Sequence, residues 1–134
     1  MKQHQILVIE DDRDMAYQLK LRLEAKGFAV ETVQSGNEGL SRARELKPDA
    51  IIMDVMLPDL DGYRICRLLK FDTEYEHIPI IIITARTLEE DKDMALEVGA
   101  DAYLTKPVDW KSLFGTLKNF LASQEAEPAE AAKS

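Results

Sequence analysis

The sequence predicts an α/β protein in which a parallel five-stranded sheet carries helices on both faces. Strand patterns and helix patterns alternate five times along the 134 residues, which favours parallel strands joined by right-handed crossovers. Most of the strand patterns are short and almost continuously apolar, as expected of strands that are buried on both faces. Four of them also end on polar residues, and these runs with their polar ends are residues 6–10, 50–54, 80–84 and 102–106.

Apolar spacing and capping residues predict the first two helices. Apolar side chains recur at helical spacing over residues 15–23, and Gly27 follows as a residue that commonly ends a helix. The strand pattern at 28–33 is partly polar, which indicates an edge position in the sheet. Ser35 and Glu38 then fit a capping box, so the second helix is predicted to begin here.

The next two helices have fewer apolar residues. The third follows a turn pattern at residues 58–62, and its predicted inward-facing residues are Ile65, Leu68 and Leu69. Thr87 and Glu90 fit a second capping box, which starts the fourth helix. Its predicted inward-facing residues are Met94, Ala95 and Val98. Because this stripe is thin, we expect the fourth helix to be the least firmly packed.

The fifth helix has the strongest apolar pattern, and a polar tail follows it. The apolar residues at strict helical spacing are Trp110, Leu113, Phe114, Leu117, Phe120 and Leu121. From Ala122 onward there is no large apolar side chain, so this segment cannot bury enough surface to offset its ordering entropy. The prediction is one domain over residues 1–121, followed over residues 122–134 by a frayed helix end or by a disordered, acidic Ala/Glu-rich tail or linker.

The composition is that of one soluble globular domain. The formal net charge is -8, and no cluster of Lys and Arg is visible, which argues against direct nucleic-acid binding by this chain. The single cysteine, Cys66, excludes an intrachain disulfide and fits a reducing cytoplasm. The N-terminus leads directly into a four-residue apolar run, too short for a signal peptide or a membrane span. We therefore expect a cytoplasmic protein without membrane attachment.

The polar residues at the strand ends predict a single site. Because the carboxyl ends of parallel strands share one edge, Glu10, Asp11, Asp54, Thr84 and Lys106 should meet there. Three carboxylates in one crevice repel one another unless they are protonated or countered by positive charge. Oxygen ligands with open positions suit Mg²⁺, so a magnesium ion is the simplest resolution.

This set of side chains is suited to phosphoryl transfer. Asp54 would be the nucleophile and would become an acyl phosphate. Mg²⁺ on one side and Lys106 on the other would neutralise the phosphoryl oxygens, and the Thr84 hydroxyl could donate a further hydrogen bond. Taken singly, each residue has an ordinary explanation, since Asp54 could be a turn carboxylate and Thr84 a strand threonine. The inference depends on their combination.

Four segments together resemble the receiver domain of bacterial two-component response regulators. They are residues 6–12, 53–62, 83–85 and 103–107, which read ILVIEDD, MDVMLPDLDG, ITA and YLTKP. The resemblance covers roughly residues 5 to 121 in the order and spacing of that family. It implies a flavodoxin-like three-layer sandwich whose sheet has the strand order 2-1-3-4-5.

The resemblance also implies a mechanism for the site. Asp54 is expected to accept a phosphoryl group from a histidine kinase or a histidine phosphotransfer protein. The implied metal ligands are Glu10, Asp11, Asp54 and the backbone carbonyl of Met56, with Mg²⁺ as the ion and Mn²⁺ as a substitute. Lys106 corresponds to the phosphate-binding lysine, and in the family its bond to Pro107 is cis.

A conformational switch is implied by the same resemblance. Thr84 is expected to move toward the phosphate, and Tyr103 to turn inward behind it. The surface of the fourth helix, fifth strand and fifth helix would then control an effector protein, a fused output domain or a phosphorylation-dependent homodimer. Met56 and Arg86 occupy positions that in the family tune dephosphorylation, and the apolar Met56 predicts no fast self-dephosphorylation.

Two other functions are consistent with parts of the pattern. A phosphatase of the haloacid dehalogenase type also uses a strand-end Asp and Mg²⁺, but it needs a second Asp where this chain has Met56. A receiver that acts only through protein contacts, without phosphorylation, is the other alternative. The complete set of site residues argues against it, and we expect a phosphorylation-switched signalling domain rather than an enzyme.

Overall fold

A five-stranded parallel sheet forms the centre of the molecule. The computed structural model describes the backbone of residues 3–85 and 89–133, and their side chains except those of residues 89, 90, 92 and 124–133. The strands are β1 (Gln5–Ile9), β2 (Ala29–Val33), β3 (Ala50–Met53), β4 (Ile80–Thr84) and β5 (Ala102–Thr105). All neighbouring strands pair in parallel, in the order β2-β1-β3-β4-β5. The predicted strand order and the edge position of β2 are confirmed.

Five helices cover the two faces of this sheet. They are α1 (Arg13–Ala25), α2 (Gly36–Leu46), α3 (Gly62–Lys70), α4 (Glu89–Glu97) and α5 (Trp110–Lys133). Alternate residues of each central strand point to opposite faces, so Leu7 and Ile51 enter the core beneath α2, α3 and α4. Ile6 and Ile52 enter the core beneath α1 and α5. The result is the predicted flavodoxin-like three-layer sandwich.

Short polar side chains fix the beginnings of the helices. Asp12 caps α1 by accepting hydrogen bonds from the backbone N–H groups of Asp14 and Met15. Ser35 caps α2 as predicted, since its hydroxyl accepts from the N–H of Glu38 at 3.2 Å. Thr87, the cap predicted for α4, lies outside the described residues.

Among the helices of the described segments, none has both the length and the hydrophobicity that a bilayer-crossing helix needs.

Two inward-facing positions differ from the sequence predictions. Leu68 and Met94 were expected to face inward, yet 40% of Leu68 and 43% of Met94 is exposed. Each helix has only nine residues, and its inner stripe is already filled, by Ile65 and Leu69 in α3 and by Ala95 in α4. Helix α5 extends past Leu121 to Lys133, and the assignment of residues 122–134 to a tail or linker stays a prediction.

Candidate functional site

Backbone hydrogen bonds align the carboxyl ends of β1, β3, β4 and β5, which are the four strands whose ends carry the predicted site. The N–H of Asp54 donates to the carbonyl of Ile9 at 3.0 Å, which extends the pairing of β1 and β3 past the ends of the strands. The N–H of Lys106 donates to the carbonyl of Thr84 at 2.8 Å and does the same for β4 and β5. The polar residues that follow these strands therefore lie along one edge of the sheet.

Lys106 connects two of the predicted carboxylates. Its Nζ donates to Oε1 of Glu10 at 2.7 Å and to Oδ2 of Asp54 at 2.8 Å. The remaining oxygens are held by the backbone, since Glu10 Oε2 accepts from the N–H of Asp12 and Asp54 Oδ1 accepts from the N–H of Met56. Glu10 and Asp54 are 1% and 6% exposed, so burial and these bonds fix both carboxylates in one orientation.

The electrostatics of the site show an excess of negative charge. Burial raises the pKa of Glu10, and the nearby Asp54 charge adds to that rise, against the opposing hydrogen bonds from Lys106 and from the Asp12 N–H. Burial alone would lower the pKa of Lys106, but its hydrogen bonds to Asp54 and Glu10 raise that pKa overall. Lys106 therefore stays charged, whereas burial makes the ionised form of Glu10 cost free energy.

The third carboxylate completes a group that could hold a cation. One oxygen from each of Glu10, Asp11 and Asp54 can be chosen so that all three lie within 4.8 Å of one another. Asp11 is exposed, so the group is open to solvent on one side. Carboxylate oxygens with room for water are the donors that Mg²⁺ prefers. The residues present therefore fit a magnesium ion.

A cleft opens beside these carboxylates. It has a volume of about 360 Å³, and its lining residues are Asp11, Val55, Met56, Leu57, Pro58 and Asp61. The loop from β3 to α3 forms most of this wall. It turns tightly at Gly62, where a Cβ would lie 2.6 Å from Val55 Cα and 2.7 Å from the Asp54 carbonyl oxygen. Only glycine fits there, so this residue shapes the cleft.

Sequence reasoning missed a second restraint on this loop. The two carboxylate oxygens of Asp59 accept hydrogen bonds from the backbone N–H groups of Gly36 and Asn37, at 2.6 and 2.9 Å. These bonds lower the pKa of Asp59 and attach the loop to the first turn of α2. A Cβ on Gly36 would lie 2.3 Å from the carbonyl oxygen of Leu60, so the close approach requires glycine. The contact spans more than twenty residues, and no local pattern signals it.

The predicted switch residues lie near the site but on different elements. Thr84 ends β4 and is fully buried, and its carbonyl oxygen accepts the hydrogen bond from the Lys106 backbone. Tyr103 lies in β5, is half-buried, and packs against the core beneath α2, α3 and α4. The peptide bond between Lys106 and Pro107 is cis, as the resemblance implies. Arg86 lies outside the described residues.

Comparison with known proteins identifies the family. The model of the response regulator receiver domain matches residues 6–118. The chain belongs to the response regulator receiver domain family. It is a receiver domain of two-component response regulators, and this family match does not support the haloacid dehalogenase alternative.

Individual relatives and a solved structure agree with this assignment. The DNA-binding response regulator MtrA of Mycolicibacterium smegmatis is 38% identical over 125 residues, which are 93% of this chain and 54% of that protein. The chain thus spans about half the length of such relatives. Protein PilH of Pseudomonas aeruginosa is 39% identical over 117 residues, 87% of this chain and 97% of PilH.

The solved structure is the signal receiver domain of a signal transduction histidine kinase from Syntrophus aciditrophicus. It superposes with a TM-score of 0.84 at 37% identity, covering 90% of this chain and 91% of that one. The receiver fold is therefore shared over nearly the whole described core.

Proposed function

We propose that this receiver domain accepts a phosphoryl group on Asp54 in a magnesium-dependent reaction and acts as a phosphorylation-controlled switch. The observation that supports the proposal most strongly is the position of Lys106. Its ammonium donates hydrogen bonds to two buried carboxylates that follow different strands, and a third carboxylate, Asp11, has an oxygen within 4.8 Å of theirs. Such a group can hold a phosphoryl group between two positive charges.

In the proposed reaction, an oxygen of the Asp54 carboxylate attacks phosphorus in the phosphohistidine of a histidine kinase or a histidine phosphotransfer protein. The new P–O bond forms as the P–N bond breaks, and the imidazole leaves with the electron pair. The product is a mixed anhydride between the Asp54 carboxyl group and phosphate. The backbone N–H of Met56 and the Lys106 ammonium hold the carboxylate in position for this attack.

Bound Mg²⁺ would neutralise phosphoryl charge as it shifts between donor and acceptor. Its proposed ligands are Glu10, Asp11, Asp54 and the backbone carbonyl of Met56. Mn²⁺ would substitute because the same oxygen donors suit it. After the transfer, the Lys106 ammonium can give up its hydrogen bond to the Asp54 carboxylate and donate to a phosphoryl oxygen instead.

Phosphorylation of Asp54 would then change the conformation of a neighbouring surface. The added negative charge at Asp54 would draw the hydroxyl of Thr84, and Tyr103 would fill the space behind it. Tyr103 is only half-buried, so it has room to change its packing. The output surface would be formed by α4, β5 and α5.

The proposed phosphorylation of Asp54 implies partners upstream and downstream of this domain. Upstream we propose a histidine kinase or phosphotransfer protein in the cytoplasm. Downstream we propose an effector protein or a fused output domain, with a phosphorylation-dependent homodimer as one mode of output. MtrA is named as a DNA-binding regulator, and this chain corresponds to about half of it. Any DNA binding would therefore belong to a separate output domain rather than to this acidic chain.

The direct test is labelling with a small phosphodonor such as phosphoramidate in the presence of Mg²⁺. The parent protein should gain the mass of one phosphoryl group, and Asp54→Asn should not. Asp14→Asn is the matched control, because Asp14 is an exposed carboxylate of α1 and has no contact with the acidic group. Equal labelling of Asp54→Asn would refute the acceptor assignment. If the parent protein is not labelled with either Mg²⁺ or a cognate kinase, a receiver that acts through protein contacts alone becomes the better explanation.

The lifetime of the phosphorylated form tests the proposed role of Met56. The side chain of Met56 is 55% exposed beside the site and cannot orient an attacking water molecule. We expect the phosphoryl group to persist well beyond seconds at room temperature, and Met56→Asn to shorten its lifetime. Loss of the label within seconds from the parent protein would contradict this. The proposed tuning role of Arg86 can be measured in the same assay with Arg86→Ala.

A further inference from the structure

Helix α3 presents a second, unexpected face to solvent. Arg64, Arg67, Leu68 and Phe71 follow one another at positions i, i+3, i+4 and i+7, which places them on one side of the helix. All four are exposed, and Phe71 is exposed by 70%. The opposite side of α3 supplies the core residues Ile65 and Leu69. The outer side of the helix therefore exposes two large apolar side chains next to two arginines.

This outer face borders a groove between α2 and α3. The groove has a volume of about 640 Å³, and its lining residues are Arg44, Arg64, Arg67, Leu68, Phe71, Asp72 and Thr73. Arg44 approaches from α2, opposite the arginines of α3. We name the surface formed by Arg44, Arg64, Arg67, Leu68 and Phe71 the arginine groove. It includes none of the residues of the acidic site.

The charges of the arginine groove are not neutralised within the described part of the chain. None of Arg44, Arg64 and Arg67 bonds a carboxylate there, and Arg67 only lies over the ring of Phe71 at 5.9 Å. Arg42 on the same helix as Arg44 behaves differently, because it pairs with Glu31 and Glu45. The one carboxylate in the lining, Asp72, already accepts a hydrogen bond from the N–H of Glu74 at 2.9 Å.

These observations define the chemistry of an occupant. The chain as a whole carries a net charge of -8, so a groove with three guanidinium groups that pair with no carboxylate of the described residues differs from the average surface. Arginine and aromatic side chains, including phenylalanine, are enriched in protein interfaces relative to the rest of the surface. A partner should match the two apolar side chains with apolar anchors and the three arginines with carboxylates.

We propose that the arginine groove is a docking site for an acidic, amphipathic helical segment of a partner protein. Its apolar anchors would pack on Leu68 and Phe71, and its flanking Glu or Asp residues would pair with Arg44, Arg64 and Arg67.

The test is an NMR titration of the ¹⁵N-labelled full chain with two synthetic amphipathic peptides. Both carry the same Leu and Phe anchors one helical turn apart, and they differ only in having Glu or Lys at the flanking positions. We expect the Glu peptide to shift amide signals of α2 and α3, and the Lys peptide to leave them unchanged. Arg64→Glu with Arg67→Glu should weaken binding of the Glu peptide by at least about tenfold.

Two controls keep the result specific. Lys20→Glu with Lys118→Glu makes the same change in charge at exposed positions of α1 and α5, and should leave binding unchanged. Phe71→Ala removes an apolar anchor from an exposed site without affecting the core, and should also weaken binding. Retained phosphorylation of Asp54 in the arginine variants would show that they are folded and that the two sites are separate.

Three outcomes would overturn the proposal. The first is equal binding of the Glu and Lys peptides, and the second is the absence of shifts in α2 and α3 at millimolar Glu peptide. The third is a concentration-dependent shift of these signals without peptide, which would make a second copy of the chain the occupant.

Discussion

Acidic residues have different surroundings at the two ends of the parallel strands. We call the side of the sheet where the strands begin the amino edge, and the side where they end the carboxyl edge. At the amino edge, each carboxylate has its own partners. Asp49 Oδ2 accepts from the backbone N–H of Gln5 at 2.7 Å, just before the central strand. Asp101 Oδ2 accepts from the N–H of Ile80 at 2.8 Å and pairs with Lys70 at 2.9 Å. These carboxylates join strand ends, and Lys70 balances the charge of Asp101.

At the carboxyl edge, three carboxylates share one lysine. Among the described side chains, Lys106 is the cation that bonds this group, and it reaches Glu10 and Asp54 but leaves Asp11 without it. The amino edge therefore resembles an ordinary stabilising arrangement, while the carboxyl edge carries an excess of negative charge. Such an excess costs stability in the absence of a cation, and it is useful where a divalent ion and a phosphoryl group are to be bound.

Removal of Lys106 should produce the largest effect. Lys106→Met leaves buried carboxylates without their cation, and we expect a loss of about 2–4 kcal/mol in the free energy of unfolding without metal. Added Mg²⁺ should restore part of the loss because it supplies positive charge to the same group. Urea denaturation with and without Mg²⁺ measures both quantities. Lys118→Met, at an exposed position of α5, is the control and should change stability by less than about 0.5 kcal/mol. Equal losses in the two variants would show that the charge excess is not real.

A smaller effect is expected at the amino edge. Asp101→Asn keeps an acceptor for the Ile80 N–H but removes the charge that faces Lys70. The lysine retains the carbonyls of Glu76 and Ile78, so we expect a loss of about 1–2 kcal/mol. Denaturation curves should show the same loss with and without Mg²⁺. A loss that Mg²⁺ reverses would mean that the two edges are not electrostatically distinct.

The residues of the carboxyl edge could be predicted from the sequence because short, local sequence patterns specify them. Each apolar run that ends on a polar residue, such as residues 50–54, specifies both a buried strand and the point at which it surfaces. Parallel pairing then brings these ends together, and the structure places Glu10, Asp11, Asp54 and Lys106 in one group as predicted.

The incorrect predictions concern short helices. In a nine-residue helix, the spacing of Leu68 fits an inner and an outer position equally well, and only the packing of α3 decides between them. Sequence reasoning also missed the bonds from Asp59 to the start of α2, because they depend on the relative placement of two loops, which no local pattern encodes.

The pH dependence of stability gives a finer test of the carboxyl edge. The folded protein raises the pKa of Glu10 above its ordinary value of 4.5, so it binds this proton more tightly than the unfolded chain does. The stability contribution of Glu10 is then fully present below pH 4.5 and is lost as the pH rises through the folded pKa. The stability of the parent protein relative to Glu10→Gln should therefore fall, without metal, as the pH rises above 4.5 and through the raised pKa of Glu10. Parallel stability curves for the two proteins would contradict the assigned cause.

The most direct measurement is the free energy of unfolding as a function of Mg²⁺ concentration. An ion that binds only the folded state adds about 2.7 kcal/mol at roughly 100 times its dissociation constant. The parent protein and Asp49→Asn should both gain stability with Mg²⁺, whereas Asp11→Asn with Asp54→Asn should gain little. A parent protein whose stability does not respond to Mg²⁺, or a double variant that responds equally, would contradict the claim that the carboxyl edge is built to hold a divalent ion.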